Sequence, residues 1–172
     1  MIDLTESQKA DYFRRSFTAV DGLWFMLVEE RFGFEAALER DEAVWKVLPK
    51  IQARSIKAMM NLGAGLHDLA KAIRARLAME GFEYEMKVHE NGFDVIISKC
   101  PWHDLMVKSG REELSERVSE IICRTENSVW ASEFHEEGAG EIEFQRAERI
   151  CKGRERCIWH FSYINKKIIN KV

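Results

Sequence analysis

Apolar residues recur at three- and four-residue intervals through the first 80 residues, a pattern that predicts amphipathic helices. Thr5 followed by Gln8 predicts a capping box at the start of the first helix, and Gly33 is expected to end it. One face of this helix carries a stripe of large apolar side chains, namely Phe13, Phe17, Val20, Trp24, Leu27 and Val28. Shorter stripes predict three more helices, at 34–48, from Pro49 onward and at 66–77. Burial statistics favour a core position for the tryptophans and methionines of this half.

The apolar period changes from 3.6 to 2 at Gly81, which predicts a β-strand. Asn91-Gly92 is the favoured sequence for a two-residue hairpin turn and places Val88 opposite Val95. A long helix is predicted from Arg111 to about Phe134, and a second hairpin from about 141 to 163. The order of elements predicts one α+β domain over 1–172, with a helical part (1–80) and a hairpin-helix-hairpin part (81–172). The two hairpins are expected to form a four-stranded antiparallel sheet packed on helices.

Composition narrows the class of protein. The 172 residues carry a formal net charge of −3, so no basic field points to nucleic acid. The acidic start has no signal-peptide pattern and the apolar runs are too short to span a bilayer, so we expect a cytoplasmic protein without a membrane span. Four cysteines in such a chain indicate a metal site, reactive thiols or buried apolar residues rather than a disulfide framework. A basic tail, 165–171, ends the chain.

The closing hairpin holds the strongest chemical signal. If Cys151 and Cys157 face each other across paired strands, their Cβ atoms lie roughly 4.5–5.5 Å apart, close enough to share a metal. Cys123 or Cys100 is a further thiolate ligand for zinc, and Glu148 is a possible carboxylate ligand. In a regular strand Glu148 and Cys151 point to opposite faces, so both bind only if the chain leaves β geometry first. Inert buried cysteines are the alternative, although nearby basic residues (Arg149, Lys152, Arg154, Arg156) favour thiolates.

Two other sets of residues are candidate functional groups. Cys100 and His103 combine a thiol with an imidazole, the groups of a cysteine nucleophile and its base; a strand-end core cysteine and a surface histidine are the alternative. Four aromatic side chains are expected to line a ligand pocket between helices and sheet: Tyr84, Trp102, Trp130 and Phe144. The apolar stripe of the first helix exceeds what one hairpin face covers, which predicts a homodimer built on the N-terminal helices.

The motif Glu148-x-x-Cys151-x-Gly153-x-x-x-Cys157-x-x-x-Phe161 resembles the closing hairpin of the 4-vinyl reductase domain, a small-molecule-binding family related in fold to subunits of a vesicle-tethering complex. The preceding helix with Cys123 and Trp130-Ala-Ser-Glu-Phe134 is similar to the helix that leads into that hairpin. Together with the Cys100-to-His103 and Cys157-to-Phe161 segments, the chain also resembles the L-2-amino-thiazoline-4-carboxylic acid hydrolase-like family. The resemblance spans about 82–163.

The first resemblance implies helices packed on a two-hairpin sheet, a ligand pocket between them, frequent dimers and, in some members, zinc. Transferred to this sequence, the resemblance implies that the zinc ligands are Cys123, Glu148, Cys151 and Cys157. Cys123 stands about one helical turn from the expected position of the helix ligand, so Cys100 is the alternative fourth ligand. We therefore expect a zinc-containing small-molecule-binding protein. The second resemblance implies an enzyme that opens a cyclic C–N bond, and the tethering subunits imply a structural or adaptor module.

Overall fold

The computed structural model describes residues 3–164, so the predicted basic tail lies outside the described residues. The chain divides into two compact units, Met1–Val44 and Trp45–Val172. Within the described residues, no helix is long and apolar enough to cross a membrane.

The first unit holds α1 (Glu6–Phe32) and most of α2 (Phe34–Trp45). The predicted capping box is confirmed: the Gln8 amide donates to Thr5 Oγ1 at 3.2 Å, and the Thr5 amide donates to Gln8 Oε1 at 2.9 Å. Gly33 ends the helix as predicted, with φ of 86° and its amide donating to the Glu29 carbonyl. Only glycine adopts that backbone conformation readily.

The apolar side of α1 faces solvent. Its large side chains are between 57% and 68% exposed at Tyr12, Phe13, Val20, Leu23, Trp24 and Leu27. We expected the tryptophans and methionines of the first half to lie in the core. That expectation is wrong for Trp24, Met26, Met59 and Met60, which are exposed. Trp45, in contrast, is buried.

The second unit is an antiparallel sheet with helices packed on it, and the predicted α+β class is confirmed. The strand order is β1-β2-β4-β3. A short helix after Pro101 was not predicted. The elements are α3 (Leu48–Met60), α4 (Gly65–Glu80), β1 (Glu83–His89), β2 (Gly92–Lys99), α5 (Pro101–Lys108), α6 (Glu112–Glu133), β3 (Ile142–Arg146), a 3₁₀ turn (Ile150–Lys152) and β4 (Cys157–Tyr163).

The core of this unit forms between α4, α6 and one face of the sheet. Alternate residues of the two central strands are buried, as the two-residue period predicts, because successive side chains point to opposite faces. The helices contribute Leu69, Ile73 and Leu77 from α4 and Trp130 from α6, and the sheet contributes Phe93, Val95, Ile97, Trp159 and Phe161.

The first hairpin differs from its predicted register. The turn consists of residues 90 and 91, and Gly92 already pairs with His89, so Val88 lies opposite Phe93 instead of Val95. A slip of two residues leaves every side chain on its predicted face, which is why the apolar face survives the error. Gly92 belongs in the strand because β4 runs close beside it: a Cβ added there would lie 2.0 Å from the Phe161 carbonyl oxygen.

We expect Gly92→Ala to destabilise the protein by about 3 kcal/mol, because β2 and β4 must separate to admit the methyl group. Chemical denaturation followed by circular dichroism measures the change. Gly22→Ala is the matched control, since no atom lies within 4 Å of a Cβ added there. Because Gly22 lies in the middle of α1, Gly22→Ala is expected to raise the free energy of unfolding by at most about 1 kcal/mol. Equal stability of the two variants would contradict the β2–β4 register.

Candidate functional site

An arginine lies in the middle of the core. Arg76 follows Ile73 at three-residue spacing on α4, so its side chain enters the same buried face, and it is only 2% exposed. Its guanidinium carbon lies 5.3 Å from the ring centroid of Trp130 and 5.6 Å from that of Trp159. A charge in such surroundings is costly unless other charged or polar groups compensate it.

Two carboxyl groups face this guanidinium. Glu80, four residues further along α4, has Oε1 3.7 Å from Arg76 Nε, and Glu126 of α6 has Oε1 3.4 Å from Arg76 Nη1. The side chains of Glu80 and Glu126 are 15% and 7% exposed. Asn127, which is completely buried, accepts a hydrogen bond from Arg76 Nη2 at 3.2 Å. We call these four residues the Arg76 cluster.

Several polar atoms of the Arg76 cluster are buried without a hydrogen-bond partner among the described residues. They are Arg76 Nε, Arg76 Nη1, Glu80 Oε2 and Glu126 Oε1, and the indole Nε1 of Trp130 beside them is in the same state. Each such atom costs about 1–3 kcal/mol if nothing satisfies it. Native interiors satisfy nearly all buried polar groups, so these atoms are suited to partners supplied by water, by a bound molecule or by a closer contact within the cluster.

The protonation of the two carboxyl groups is displaced upward. Burial raises the pKa of Glu80 to about 7; Arg76 opposes the shift and Glu126 adds to it. Burial also raises the pKa of Glu126, again opposed by Arg76. One guanidinium does not compensate two buried carboxylates, so the pair retains a proton below about neutral pH.

The residue types of the Arg76 cluster do not predict its position, because charged side chains are almost never fully buried unless they are paired. Its members occupy core-facing positions in apolar stripes: Arg76 lies between Ile73 and Leu77, and Glu126 lies four residues from both Ile122 and Trp130. A charged residue in register with an apolar stripe was the available signal.

The predicted ligand-binding aromatics lie around this part of the core. Trp130 is completely buried beside Arg76, and Trp102 of α5 donates a hydrogen bond to Glu80. Phe144 contacts Trp159 edge-on, with ring centroids 5.9 Å apart. Tyr84 packs against the core, and its hydroxyl donates to the Arg74 carbonyl. Their role as ligand contacts stays a prediction.

The four cysteines are neighbours. Burial raises the pKa of Cys123 well above its usual range, and the nearby Cys100, Glu126 and Cys157 add to the shift. Burial likewise raises the pKa of Cys100 to about 12 and raises that of Cys157, which Cys151 also affects. Burial therefore favours the protonated form of the Cys100, Cys123 and Cys157 thiols at neutral pH.

The second hairpin does not pair Cys151 with Cys157, so the condition under which the two thiols would face each other across paired strands is not met. β3 ends at Arg146, the chain leaves β geometry, and Cys151 lies in the 3₁₀ turn. Cys157 lies opposite Ile97 of β2. The Sγ atom of Cys151 is 2.8 Å from Ser119 Oγ, one turn before Cys123 on α6. The helix side chain bonded to Cys151 is therefore a hydroxyl group.

The remaining groups near the thiols are engaged elsewhere. Glu148 Oε2 accepts a hydrogen bond from Arg156 Nε at 3.1 Å. Arg149 is paired with Glu120, and Lys152 is paired with Glu116, so these cations have carboxylate partners. Within residues 3–164, no group of three or more His, Cys, Asp and Glu side chains is arranged to hold a metal ion. The side chains as placed do not form the expected zinc site, and zinc stays a prediction from the resemblance.

Cys100 and His103 lack the features of an activated nucleophile. His103 Nδ1 shares a hydrogen bond with Ser115 Oγ at 2.9 Å. A reactive cysteine has a lowered pKa, whereas burial raises that of Cys100. These two residues stay weak candidates for catalysis.

A surface cleft of about 300 Å³ lies at the N-terminal end of α4. The amide groups at that helix end already have protein partners: Gly65 donates to the Phe134 carbonyl and Leu66 to the Tyr163 hydroxyl. The Glu136 carboxylate packs against Gly65. The first two amides of α4 therefore have partners within the protein. Histidine side chains from α4 and from the first hairpin, His67 and His89, also line the cleft.

The protein is thus an α+β protein with a buried ionic cluster beneath its helices. The chain belongs to DUF6125, a family of unknown function, with residues 7–162 matching. No curated protein matches the chain.

The carboxyl pair predicts an unusual dependence of stability on pH. The folded state binds more protons than the unfolded state between the ordinary glutamate pKa of 4.5 and about 7, so the free energy of unfolding falls as pH rises through this window. The slope approaches about 1.4 kcal/mol per pH unit for each group. Glu80→Gln should flatten it.

Urea denaturation at several pH values between 4.5 and 8 tests this expectation. Glu90→Gln, an exposed position in the first hairpin, is the control. A slope that is the same in wild type and in Glu80→Gln would contradict the burial of Glu80 in its ionisable form.

Proposed function

We propose that this protein binds a small molecule at the Arg76 cluster, between α4, α6 and the sheet. The observation that carries the proposal is the convergence of unpartnered buried polar atoms beside Trp130. Ligand sites are mostly apolar and place a few polar groups where they fix the orientation of the bound molecule. The indoles of Trp102, Trp130 and Trp159 supply such apolar surroundings.

Fold stability alone is a weak reason to keep these charges in the core. Replacing a buried ion cluster with apolar side chains of similar volume is often neutral or stabilising. Strongly displaced pKa values at buried groups also concentrate at functional sites. Both considerations favour a binding role for Arg76, Glu80 and Glu126.

The approach to the site is from the last turn of α4. Glu80 is the most exposed member of the cluster and lies at that end of the helix. Trp102 of α5 stands beside it, edge-on to Trp45 with ring centroids 5.7 Å apart.

A small-molecule library screened by thermal shift and isothermal titration calorimetry tests the proposal. A ligand present at 100 times its Kd should stabilise the folded state by about 2.7 kcal/mol. Arg76→Met should abolish that effect; because it leaves two buried carboxyl groups without their cation, its folding is checked by circular dichroism and binding is measured near pH 5, where these groups are protonated. Arg54→Met is the matched control, because Arg54 is an exposed arginine paired with Glu133. Ligands that act equally on both variants would place the site elsewhere.

We also propose that the protein is a homodimer joined through the apolar side of α1. Its six exposed side chains offer on the order of 100 Å² each, or roughly 600 Å² together. A standard interface buries about 800 Å² per partner, so this helix supplies most of one. An apolar patch of this size on an isolated chain favours association.

Light scattering at micromolar concentration should give twice the 20.1 kDa mass of the chain. Trp24→Glu with Leu27→Glu should give the monomer, because charges would be buried in the interface. Arg15→Gln is the control on α1. A wild-type monomer, or a double variant that stays dimeric, would rule out this interface.

Zinc bound by cysteines near the second hairpin remains a proposal from the family resemblance. Elemental analysis of the purified protein should find about one zinc per chain, since structural zinc binds tightly enough to survive purification. Cys157→Ser should then lose the metal and destabilise the protein, whereas Cys100→Ser does so only if Cys100 is a ligand. Less than about a tenth of a zinc per chain, with thiols that titrate fully in the native state, would reject the site.

A further inference from the structure

We propose that the molecule bound at the Arg76 cluster carries one compact positive group, an organic ammonium, held between Glu80 and Glu126. This inference rests on the proposed binding site and goes on to name the chemistry of its ligand. It follows from the balance of charge, from the unpartnered acceptors and from the aromatic surroundings.

The cluster is one positive charge short. Arg76 is the cation that acts on both carboxyl groups, and it contacts them at 3.4 and 3.7 Å without forming a hydrogen bond to either. Its one hydrogen bond among the described contacts goes to the neutral Asn127. A second cation would let both carboxyl groups be ionised together, which the protein alone permits only at the cost of a buried excess charge.

Among residues 3–164, the groups that act on the carboxyl pair include no cation besides Arg76. The helix α6 presents Cys123, whose pKa is affected by Glu126, and α5 presents the Trp102 indole to Glu80. Arg146 affects Cys123, but its guanidinium donates to backbone carbonyls of α6 and pairs with Glu120. The described surroundings of Glu80 and Glu126 are therefore thiol, indole and a single guanidinium.

The unpartnered acceptors match the donors of an ammonium group. Glu80 Oε2 and Glu126 Oε1 are buried without a hydrogen bond among the described residues, and Arg76 Nη1 approaches Glu126 Oε1 only to 3.4 Å. An ammonium group has three N–H donors and no acceptor. The aromatic faces add to the preference, because indole rings attract cations and the rings of Trp130 and Trp159 already lie against Arg76.

Three probes of similar size and different charge test this inference: ethylammonium, ethanol and acetate. NMR detection of the tryptophan indole N–H signals reports binding, with millimolar affinity at best for molecules this small. We expect ethylammonium to shift the signals of Trp102 and Trp130, while Trp24 on α1 stays unchanged. Ethanol and acetate should bind at least tenfold more weakly. Ethylammonium affinity should rise about tenfold between pH 5.5 and 8, because the cation competes with the proton held by Glu80.

Glu126→Gln should weaken ethylammonium binding at least tenfold and leave ethanol unaffected. Glu80→Gln, at the more exposed position, is the second variant if the first does not fold, which the indole spectrum itself reveals. Equal binding of the three probes, stronger binding of acetate, or no shift at Trp102 and Trp130 with ethylammonium would overturn the inference. A neutral or anionic library compound whose binding requires Arg76 would also overturn it and leave the proposed function standing.

Discussion

The guanidinium of Arg76, buried between two indoles and facing two carboxyl groups, is the interaction on which the helix-sheet core depends. It links α4 to α6 through Glu126 and Asn127, and to β4 through Trp159. Apolar side chains fill the remaining volume around Arg76, but they do not compensate its charge. Arg76 therefore connects α4 to α6 and to the sheet, and it opposes the rise in pKa that burial causes at Glu80 and Glu126.

This arrangement differs from what a purely stabilising core requires. Removing one partner of a buried ion cluster leaves an uncompensated charge and is strongly destabilising, whereas removing all partners together is often harmless. The same low dielectric environment extends to the thiols nearby, where burial raises the pKa of Cys100, Cys123 and Cys157. The interior beneath the helices is thus a region in which charge is costly, and the proposed ligand would be favoured there because it neutralises charge.

Local rules predicted much of the fold. The capping box at Thr5, the helix end at Gly33 and the alternation of the first hairpin are set by neighbours in sequence, and all three are present. The hairpin register slipped by two residues because the prediction assigned Gly92 to the turn, whereas the close approach of Phe161 requires a glycine in the strand. That contact joins residues far apart in the chain, which no local pattern reveals.

The site was less predictable for the same reason. Cys151 and Cys157 are six positions apart and suggest a strand pair, yet the 3₁₀ turn directs Cys151 to Ser119 on α6. Arg76 and Glu126 resemble surface residues by type, and only their register with the apolar stripes of α4 and α6 marks them as buried. The predicted aromatics Trp102 and Trp130 lie at the Arg76 cluster. Their placement was predictable, because aromatic residues in helices next to a sheet usually face inward.

The most direct test of the Arg76 cluster is a ¹³C NMR titration of the glutamate side-chain carboxyl groups. With Glu80 and Glu126 assigned by substitution, the folded protein should show both titrating above the ordinary glutamate value of 4.5, Glu80 near 7. Arg76→Met should raise both further, because the opposing positive charge is gone. Two carboxyl groups that titrate at or below 4.5 and do not respond to the loss of Arg76 would contradict a buried pair sharing a single guanidinium.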